Sequence, residues 1–223
     1  MINCVVFDLD GTLVNSHETI FKATLKTLEK LGLNTSVDKT KFYSLLGHHF
    51  KDIFDECGIE VPDLEFFISN YKTVYFEYIN DSQLYDNTLD VLKELKKMKI
   101  KTGLLTTKGH DQAVKIASYF GLNIFLDSIE GRKNGVAIKP SPAQLIKICR
   151  ENEVDPENAL MVGDTDLDIK CGKAAGARTC AVTFGYREVE ELISNKPDYI
   201  IDDLKEILKI ISDNEKSITL KSE

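Results

Sequence analysis

The sequence has no long apolar run and no paired cysteine motif, and each absence excludes a class of protein. Its amino end, MINCVVFDLDGT, holds four consecutive apolar residues before an aspartate, too few for a signal peptide or a membrane anchor. The cysteines are odd in number, lack any C-x-x-C pair or histidine at metal-ligand spacing, and lie at positions 4, 57, 149, 171 and 180. We therefore expect reduced thiols, a cytoplasmic location and no membrane partner.

Positive charge is also scarce. Lysine and arginine total 28 against 36 aspartates and glutamates, a net charge of −8, which argues against a nucleic-acid partner because such binding draws on concentrated cations. A small anionic substrate stays compatible with this charge. The 223 residues exceed a typical domain of about 150 by half, which favours one core with a sizeable insertion.

Short apolar runs recur along the chain, each ending in polar or glycine-rich residues: CVVF at 4–7, TGLLT at 102–106, ALMV at 159–162, TCAV at 179–182 and YII at 199–201. Continuous apolarity predicts strands that are covered on both faces, as in a parallel sheet. Helical spacing lies between the runs, for example at Leu92, Leu95 and Met98. This alternation predicts an open α/β fold.

Residues 15–86 interrupt the alternation. Phe21, Leu25 and Leu28 have helical spacing before Gly32, and no strand-like apolar run follows until the pattern resumes at Thr88. We predict a helical insertion at 15–86, within a core formed by residues 1–14 and 87–223.

Two acidic clusters come directly after predicted strands. Asp8 and Asp10 follow the first strand and precede Gly11, which lets the backbone approach an anion, and GDTDLD contributes Asp164 and Asp168 after ALMV. Each cluster alone is also compatible with a turn or an acidic helix cap. Two clusters at two strand ends favour a site for a hard cation, Mg²⁺ before Zn²⁺, because the ligands would be oxygen atoms only.

Two further segments could hold phosphate oxygens. Thr106 and Thr107 end the TGLLT strand, and Lys139 precedes two prolines that stiffen the approach to a helix. A threonine pair at a strand end is also typical of a turn or helix cap, and single lysines are usually on the surface.

Taken in order and spacing, these four segments resemble the motifs of the haloacid-dehalogenase-like hydrolase superfamily. The run AAGARTCAVTFGY with NKPDYIIDDLKEIL is similar to its phosphoglycolate-phosphatase-type branch. The resemblance implies a doubly wound parallel sheet, with the insertion as a small all-helical cap, and a Mg²⁺-dependent phosphatase. Related dehalogenases lack the second acid, here Asp10, since a halide leaving group needs no proton.

The resemblance also implies roles for the residues. Asp8 would attack phosphorus to form an aspartyl-phosphate, and Asp10 would protonate the leaving oxygen and then activate water. The Asp8 carboxylate, the Asp10 carbonyl and Asp164 would hold Mg²⁺, with Asp168 orienting its waters. The list of phosphate-binding residues is Thr106, Thr107, Lys139 and Gly11, where Thr107 replaces the usual asparagine.

The cap would select the substrate. The segment Gly47-His48-His49-Phe50-Lys51 resembles the part of the cap that faces the active site, so His48 and Lys51 are candidates for substrate contact. The pattern of exposed histidines at a helix start is more common than substrate contact for any one of these residues. All four arginines lie outside residues 15–86, so a carboxylate-bearing substrate such as phosphoglycolate receives no special support.

The predicted partner is therefore a small phosphorylated metabolite, bound by a monomer or homodimer. A pyrophosphatase, a 5′-nucleotidase and a sugar-phosphate mutase of the same superfamily remain alternatives. A non-catalytic phosphate-binding module ranks last, because every catalytic carboxylate is present.

Overall fold

A computed structural model describes residues 1–33 and 35–219. Position 34 of the predicted insertion and residues 220–223 of the predicted core lie outside the described residues. The strands are β1 (Cys4–Phe7), β2 (Val14–Asn15), β3 (Gln83–Leu84), β4 (Lys101–Gly109), β5 (Ser128–Arg132), β6 (Ala159–Gly163), β7 (Arg178–Val182) and β8 (Tyr199–Ile201). The helices are α1 (His17–Lys30), α2 (Lys39–Ser44), α3 (Phe50–Cys57), α4 (Leu64–Glu77), α5 (Thr88–Lys97), α6 (His110–Tyr119), α7 (Ala143–Glu151), α8 (Asp166–Ala175), α9 (Val189–Ser194) and α10 (Glu206–Thr219).

Six strands form one parallel sheet in the order β5-β4-β1-β6-β7-β8. The strand β1 is buried along its whole length and lies between β4 and β6, with Cys4 opposite Lys101 on one side and Ala159 on the other. Because the strand order runs outward in both directions from β1, the loops after β1, β4 and β6 meet at a switch point of the kind where α/β proteins bind ligands.

Both faces of the sheet are covered by helices. Val5 and Phe7 of β1 pack in one apolar cluster, which also holds side chains of α5, α6 and α10. Cys4 and Val6 point to the opposite face and pack in a second cluster with side chains of α7 and α8. The alternation of side chains along one strand therefore feeds two apolar layers, and the prediction of a doubly wound α/β fold is confirmed.

The helices α1 to α4 fall between β2 and β3, inside the predicted insertion. Aromatic rings hold them together: Phe50 of α3 contacts Phe67 and Tyr71 of α4 edge-on, at centroid distances of 5.4 and 4.7 Å. The short strands β2 and β3 pair antiparallel at the junction with the core. The expectation of no strand in this segment is therefore wrong for β2 and β3, because strands of two residues are too short to give an alternating pattern. The division of the chain at residues 15–86 stays a prediction.

None of the helices among the described residues combines the length and the apolar composition that a bilayer span requires.

Candidate active site

The loops after β1 and β6 bring two of the predicted carboxylates together. Asp8 follows β1 directly and donates its backbone N–H to Val162 of β6 at 2.9 Å, while Asp164 follows the end of β6. The carboxyl groups of Asp8, Asp164 and Asp168 are all buried, and one oxygen from each lies within 4.8 Å of the others.

Lys139 lies among these carboxylates. Its Nζ is 2.9 Å from Asp8 Oδ1 and 2.5 Å from Asp168 Oδ1, and its side chain is only 2% exposed. Burial alone would lower the pKa of Lys139, but the two carboxylates raise it above the usual value, so the ammonium group stays charged. The alternative of a surface lysine is thereby excluded.

Asp164 is held in a close-fitting pocket. Its Oδ1 accepts a hydrogen bond from the Thr12 hydroxyl at 3.0 Å and its Oδ2 accepts one from the Tyr186 N–H at 2.8 Å. Gly11 and Gly185 lie against the carboxyl group, and a Cβ at either position would overlap it. The Gly11 N–H donates to the carbonyl of Val14, so the structure assigns this glycine to making room for Asp164 and to a turn with φ of 87°.

Burial and neighbouring negative charge both raise the carboxyl pKa values at this place. Burial, followed by the charge of Asp168, raises the pKa of Asp164 to about 7. Burial also holds the pKa of Asp8 well above its usual range, with Lys139 acting in the opposite direction. A bound cation would favour the ionised forms of both groups.

Asp168 has both oxygens engaged by protein groups. Oδ1 contacts Lys139, and Oδ2 accepts from the Thr165 N–H at 3.1 Å and from its hydroxyl at 2.6 Å, at the start of α8. The helix-cap alternative is therefore true of Asp168, and the same carboxylate also fixes Lys139. This arrangement fits a residue that holds Lys139 in position rather than one that contacts a substrate.

The donor set fits a hard divalent cation such as Mg²⁺. Carboxylate oxygens are the only candidate ligands in the group, and Mg²⁺ prefers one or two carboxylates together with water and phosphate oxygens. Asp8 and Asp164, both predicted as ligands from the sequence, belong to this group.

Asp10 lies beside the same cleft in a different environment. Its Oδ1 accepts from the Ser16 hydroxyl at 2.5 Å, and its Oδ2 is 3.2 Å from Nζ of Lys108. The Lys108 ammonium also lies 4.5 Å from the centre of the Tyr75 ring, in a cation–π contact with α4. Ser16 and Tyr75 belong to the predicted insertion, so Asp10 is held where the insertion meets the sheet.

A bulge at the end of β4 aims its side chains into the cleft. Register with β5 is lost between Leu105 and Gly109, so that Thr106, Thr107 and Lys108 face the single residue Gly131. The Thr107 hydroxyl donates to the carbonyl of Gly47 at 3.1 Å, which ties β4 to the insertion.

A cavity lies between the sheet edge and the insertion. It is lined by Asp8, Asp10, Ile20, Leu46, Gly47, His48, His49, Phe50, Ile53, Ile68, Tyr71, Thr106, Thr107, Lys108, Gly109, Gln112 and Arg132. The insertion contributes mostly apolar side chains, and the core contributes the carboxylates, hydroxyls and cations.

Comparison with known proteins agrees with this geometry. A family model described as haloacid dehalogenase-like hydrolase matches residues 5–182, well over half of the chain. The chain belongs to this family.

Individual relatives support the assignment. The chain is 31% identical to a protein of Bacillus cereus named pyrophosphatase PpaX, over 97% of this chain and 99% of that protein. It is similar to the crystal structure of a "predicted phosphoglycolate phosphatase" from Haemophilus somnus, at 26% identity and a TM-score of 0.80, over 94% of this chain and 98% of that one. A haloacid dehalogenase-like hydrolase from Streptococcus pneumoniae matches at 27% identity, a TM-score of 0.82 and the same coverage. The prediction of a phosphatase of this superfamily is confirmed at the level of family and enzyme class.

Most of the residues predicted from the sequence lie at or beside the cavity. His48 lines the cavity, where burial, followed by the charge of Arg187, lowers its pKa. Lys51 lies elsewhere: it is 67% exposed on α3, pairs with Asp55 at 2.6 Å, and is absent from the described lining of the cavity.

Sequence reasoning missed several side chains of this site, chiefly Lys108, Tyr71, Gln112 and Arg132. Lys108 directly follows the predicted threonine pair, and that adjacency was the one available signal. Tyr71 and Gln112 look like ordinary helix residues in the sequence.

Proposed function

We propose that this phosphatase hydrolyses a small phosphorylated metabolite with the help of Mg²⁺, through an aspartyl-phosphate on Asp8. The observation that carries the proposal is the pairing of the buried Asp8 carboxylate with Lys139 at 2.9 Å, at a strand end that also holds Asp10. A permanent cation beside Asp8 favours its ionised form, which is the nucleophilic one.

In the first step, an Asp8 oxygen forms a bond to phosphorus as the bond from phosphorus to the leaving oxygen breaks. Asp10 gives its proton to that oxygen, which leaves as an alcohol. Ser16 and Lys108 fix the Asp10 carboxyl group at the cavity, so the proton is delivered from a defined position.

In the second step, Asp10 takes a proton from water, whose oxygen attacks phosphorus as the bond between phosphorus and Asp8 breaks. Inorganic phosphate leaves and Asp8 is regenerated. Lys139 and the Thr106 hydroxyl would bind the phosphoryl oxygens, whose negative charge they would stabilise during transfer.

When bound, Mg²⁺ would supply positive charge that stabilises the phosphoryl group during transfer. The Asp8 and Asp164 carboxylates and the Asp10 carbonyl would hold it, and Asp168 would keep Lys139 in position through their 2.5 Å contact. Cytoplasmic location and a monomer or homodimer belong to the same proposal.

A second candidate is inorganic pyrophosphate hydrolysis. The Bacillus cereus relative that carries the name pyrophosphatase PpaX matches this chain over nearly its full length. The apolar wall that Phe50, Ile53 and Ile68 present to the cavity favours an organic phosphate instead, because pyrophosphate oxygens against that wall would lose hydrogen bonds to water.

The test uses Asp8→Asn, with Asp90→Asn as the matched control on the exposed first turn of α5. We expect Asp8→Asn to lower the hydrolysis of an aryl phosphate by roughly 10⁴-fold or more while the protein stays folded, and Asp90→Asn to behave as wild type. Rapid acid quench of the wild type should give a peptide containing Asp8 that is heavier by one phosphoryl group. Wild-type turnover by folded Asp8→Asn would contradict the proposal, and chelation of divalent cations should abolish the activity.

A further inference from the structure

The cavity has a second polar region, at the β4–β5 side of the sheet edge. Arg132 ends β5, which lies two strands from β1, roughly 10 Å across the sheet. Ile129 of β5 is level with Phe7 of β1, so Arg132 lies three residues further toward the carboxyl ends of the strands. Arg132 pairs in register with Gly109, the residue that immediately precedes α6. Gln112 lies in the first turn of α6, and all three residues line the cavity.

Arg132 is a nearly buried cation with a weak partner. Its side chain is 16% exposed, and among the described residues its guanidinium group pairs with Glu65 of α4 only, through Nη1 at 3.0 Å. The Glu65 side chain is 66% exposed, and ion pairs to so exposed a carboxylate contribute little stability. A guanidinium group has five donors in a planar fork, so most of its capacity to bind an anion is left over.

Gln112 supplies an independent observation. The residue is 3% exposed, and its side-chain Nε2 has no hydrogen-bond partner. A buried amide donor without a protein partner is costly in a folded protein unless water or a ligand satisfies it, and Gln112 lines the cavity in which either would lie. An oxygen atom is the acceptor that both Nε2 and a guanidinium group would take.

Charges around this region favour an anion. Among the described residues that line the cavity, the carboxylates are Asp8 and Asp10, and both come from the loop after β1. Glu65 remains outside that lining and can move into solvent when another carboxylate or a phosphate displaces it.

We propose that the substrate is a phosphate compound with a second anionic group, a carboxylate or another phosphate, which Arg132 and Gln112 bind while the scissile phosphoryl group lies at Asp8. This inference rests on the proposed function, because it takes Asp8 as the point of attack. Glu65 occupies the guanidinium group in the absence of substrate and is exchanged for the second anion.

The experiment compares kcat/KM for phosphoglycolate, pyrophosphate and ethyl phosphate, which matches phosphoglycolate in size but lacks its carboxylate. Wild-type enzyme should prefer at least one of the two doubly anionic compounds, and which of them is preferred distinguishes a carboxylate from a second phosphate. In Arg132→Gln, we expect the ratio of kcat/KM for that compound to kcat/KM for ethyl phosphate to fall about 10- to 100-fold, mainly through KM. In Arg132→Lys, the same ratio should fall less than in Arg132→Gln, because the positive charge remains but the planar set of guanidinium donors is lost.

Two further variants sharpen the result. Glu65→Gln removes the competing carboxylate and should lower KM for the doubly anionic compound several-fold without a matching change for ethyl phosphate. Arg150→Gln, on the exposed face of α7, is the matched control and should leave the ratio unchanged.

Equal losses of Arg132→Gln on both kinds of substrate, or a wild-type enzyme indifferent to the second anionic group, would overturn the inference. Either result leaves the proposed function intact as long as Asp8→Asn is inactive. Wild-type activity of Asp8→Asn would instead remove the proposed function itself, so the two failures are distinguishable.

Discussion

Stability should depend on pH and on divalent cations through the buried Asp164. Its pKa of about 7 lies some three units above the ordinary value of 3.8, so the folded protein holds this proton more tightly than the unfolded chain does. Each unit corresponds to 1.36 kcal/mol, which gives a loss of about 4 kcal/mol in the free energy of unfolding at alkaline pH, of which roughly 2 kcal/mol develops between about pH 5 and pH 7. The stability associated with this group is present at acid pH and disappears as the pH rises through 7.

Asp164→Asn is the variant that isolates this contribution. An asparagine keeps the shape, can accept the Tyr186 N–H through Oδ1, and can donate through Nδ2 to the Thr12 hydroxyl. We expect the metal-free variant to be more stable than the metal-free wild type at about pH 8 by up to about 4 kcal/mol, and the difference to vanish near pH 4. The variant should also lose phosphatase activity.

The assay is urea denaturation with a chelator present, repeated with Mg²⁺, across the same pH range. The lowered pKa values of His48 and His49, caused chiefly by burial, act in the opposite direction, because they make stability rise with pH. The difference between wild type and variant cancels their effect. Mg²⁺ at about 100 times its dissociation constant should add about 2.7 kcal/mol to the wild type and little to the variant. A difference between the two proteins that is flat with pH, or equal stabilisation of both by Mg²⁺, would refute the reasoning.

Three other changes have direct expected outcomes. Gly11→Ala places a Cβ into the Asp164 carboxyl group at a φ of 87°, so thermal unfolding should show a loss of at least about 2 kcal/mol, whereas an unchanged melting temperature would contradict the tight fit. Arg187→Gln removes two 2.8 Å hydrogen bonds from Nη1 to backbone carbonyls of the insertion, and should cost about 2–4 kcal/mol in urea denaturation together with a raised KM; a change in neither would show that these bonds do not position the insertion. Lys108→Met removes the cation 3.2 Å from Asp10 and should lower kcat about 10-fold in a protein that still folds but is less stable, because a nearly buried carboxylate loses its partner, and wild-type kcat would exclude a catalytic role for Lys108.

The sequence predicted the central strands well because they are buried on both faces. An apolar run such as CVVF leaves little choice, since each of its residues must find an apolar neighbour, and β1, β4, β6 and β7 all lie where such runs occur. The edge strand β8 was predicted from its run YII, although only Ile201 of that run is buried. The strand β5 has the sequence SIEGR and lies at the edge of the sheet, where one side needs no partner strand. Its composition therefore carries no strand signal, and the prediction omitted it.

The same omission explains why Arg132 was missed. Because β5 was not predicted, Arg132 had no predicted position at the sheet edge. It was noted only as an arginine that lies outside the insertion. An arginine-free cap gives a carboxylate-bearing substrate no support only if the cap alone meets the far end of the substrate. Arg132, at the end of β5 in the core, also lines the cavity.

Lys51 shows the opposite failure. A resemblance in sequence places it in a segment that faces the site, but the helix α3 begins at Phe50, and its turn carries Phe50 toward the cavity and Lys51 toward solvent. Adjacent residues on a helix point in directions about 100° apart, so one position decides whether a side chain lines the cavity.

The source of the cations determines how an acidic protein can bind an anionic substrate. Three cations near the cavity come from the core: Lys108 lies at the end of β4, Arg132 at the end of β5 and Lys139 in the loop after β5. Each of them is within 3.2 Å of a carboxylate oxygen. Pairs this close cancel at long range, so the net charge of −8 dominates far from the protein, whereas inside the cavity an incoming phosphate can exchange with a paired carboxylate. The insertion adds mostly apolar walls to the cavity. These three cations, each paired with a carboxylate, come from the core, so the proposed recognition of a second anion depends on the ends of core strands as well as on the cap.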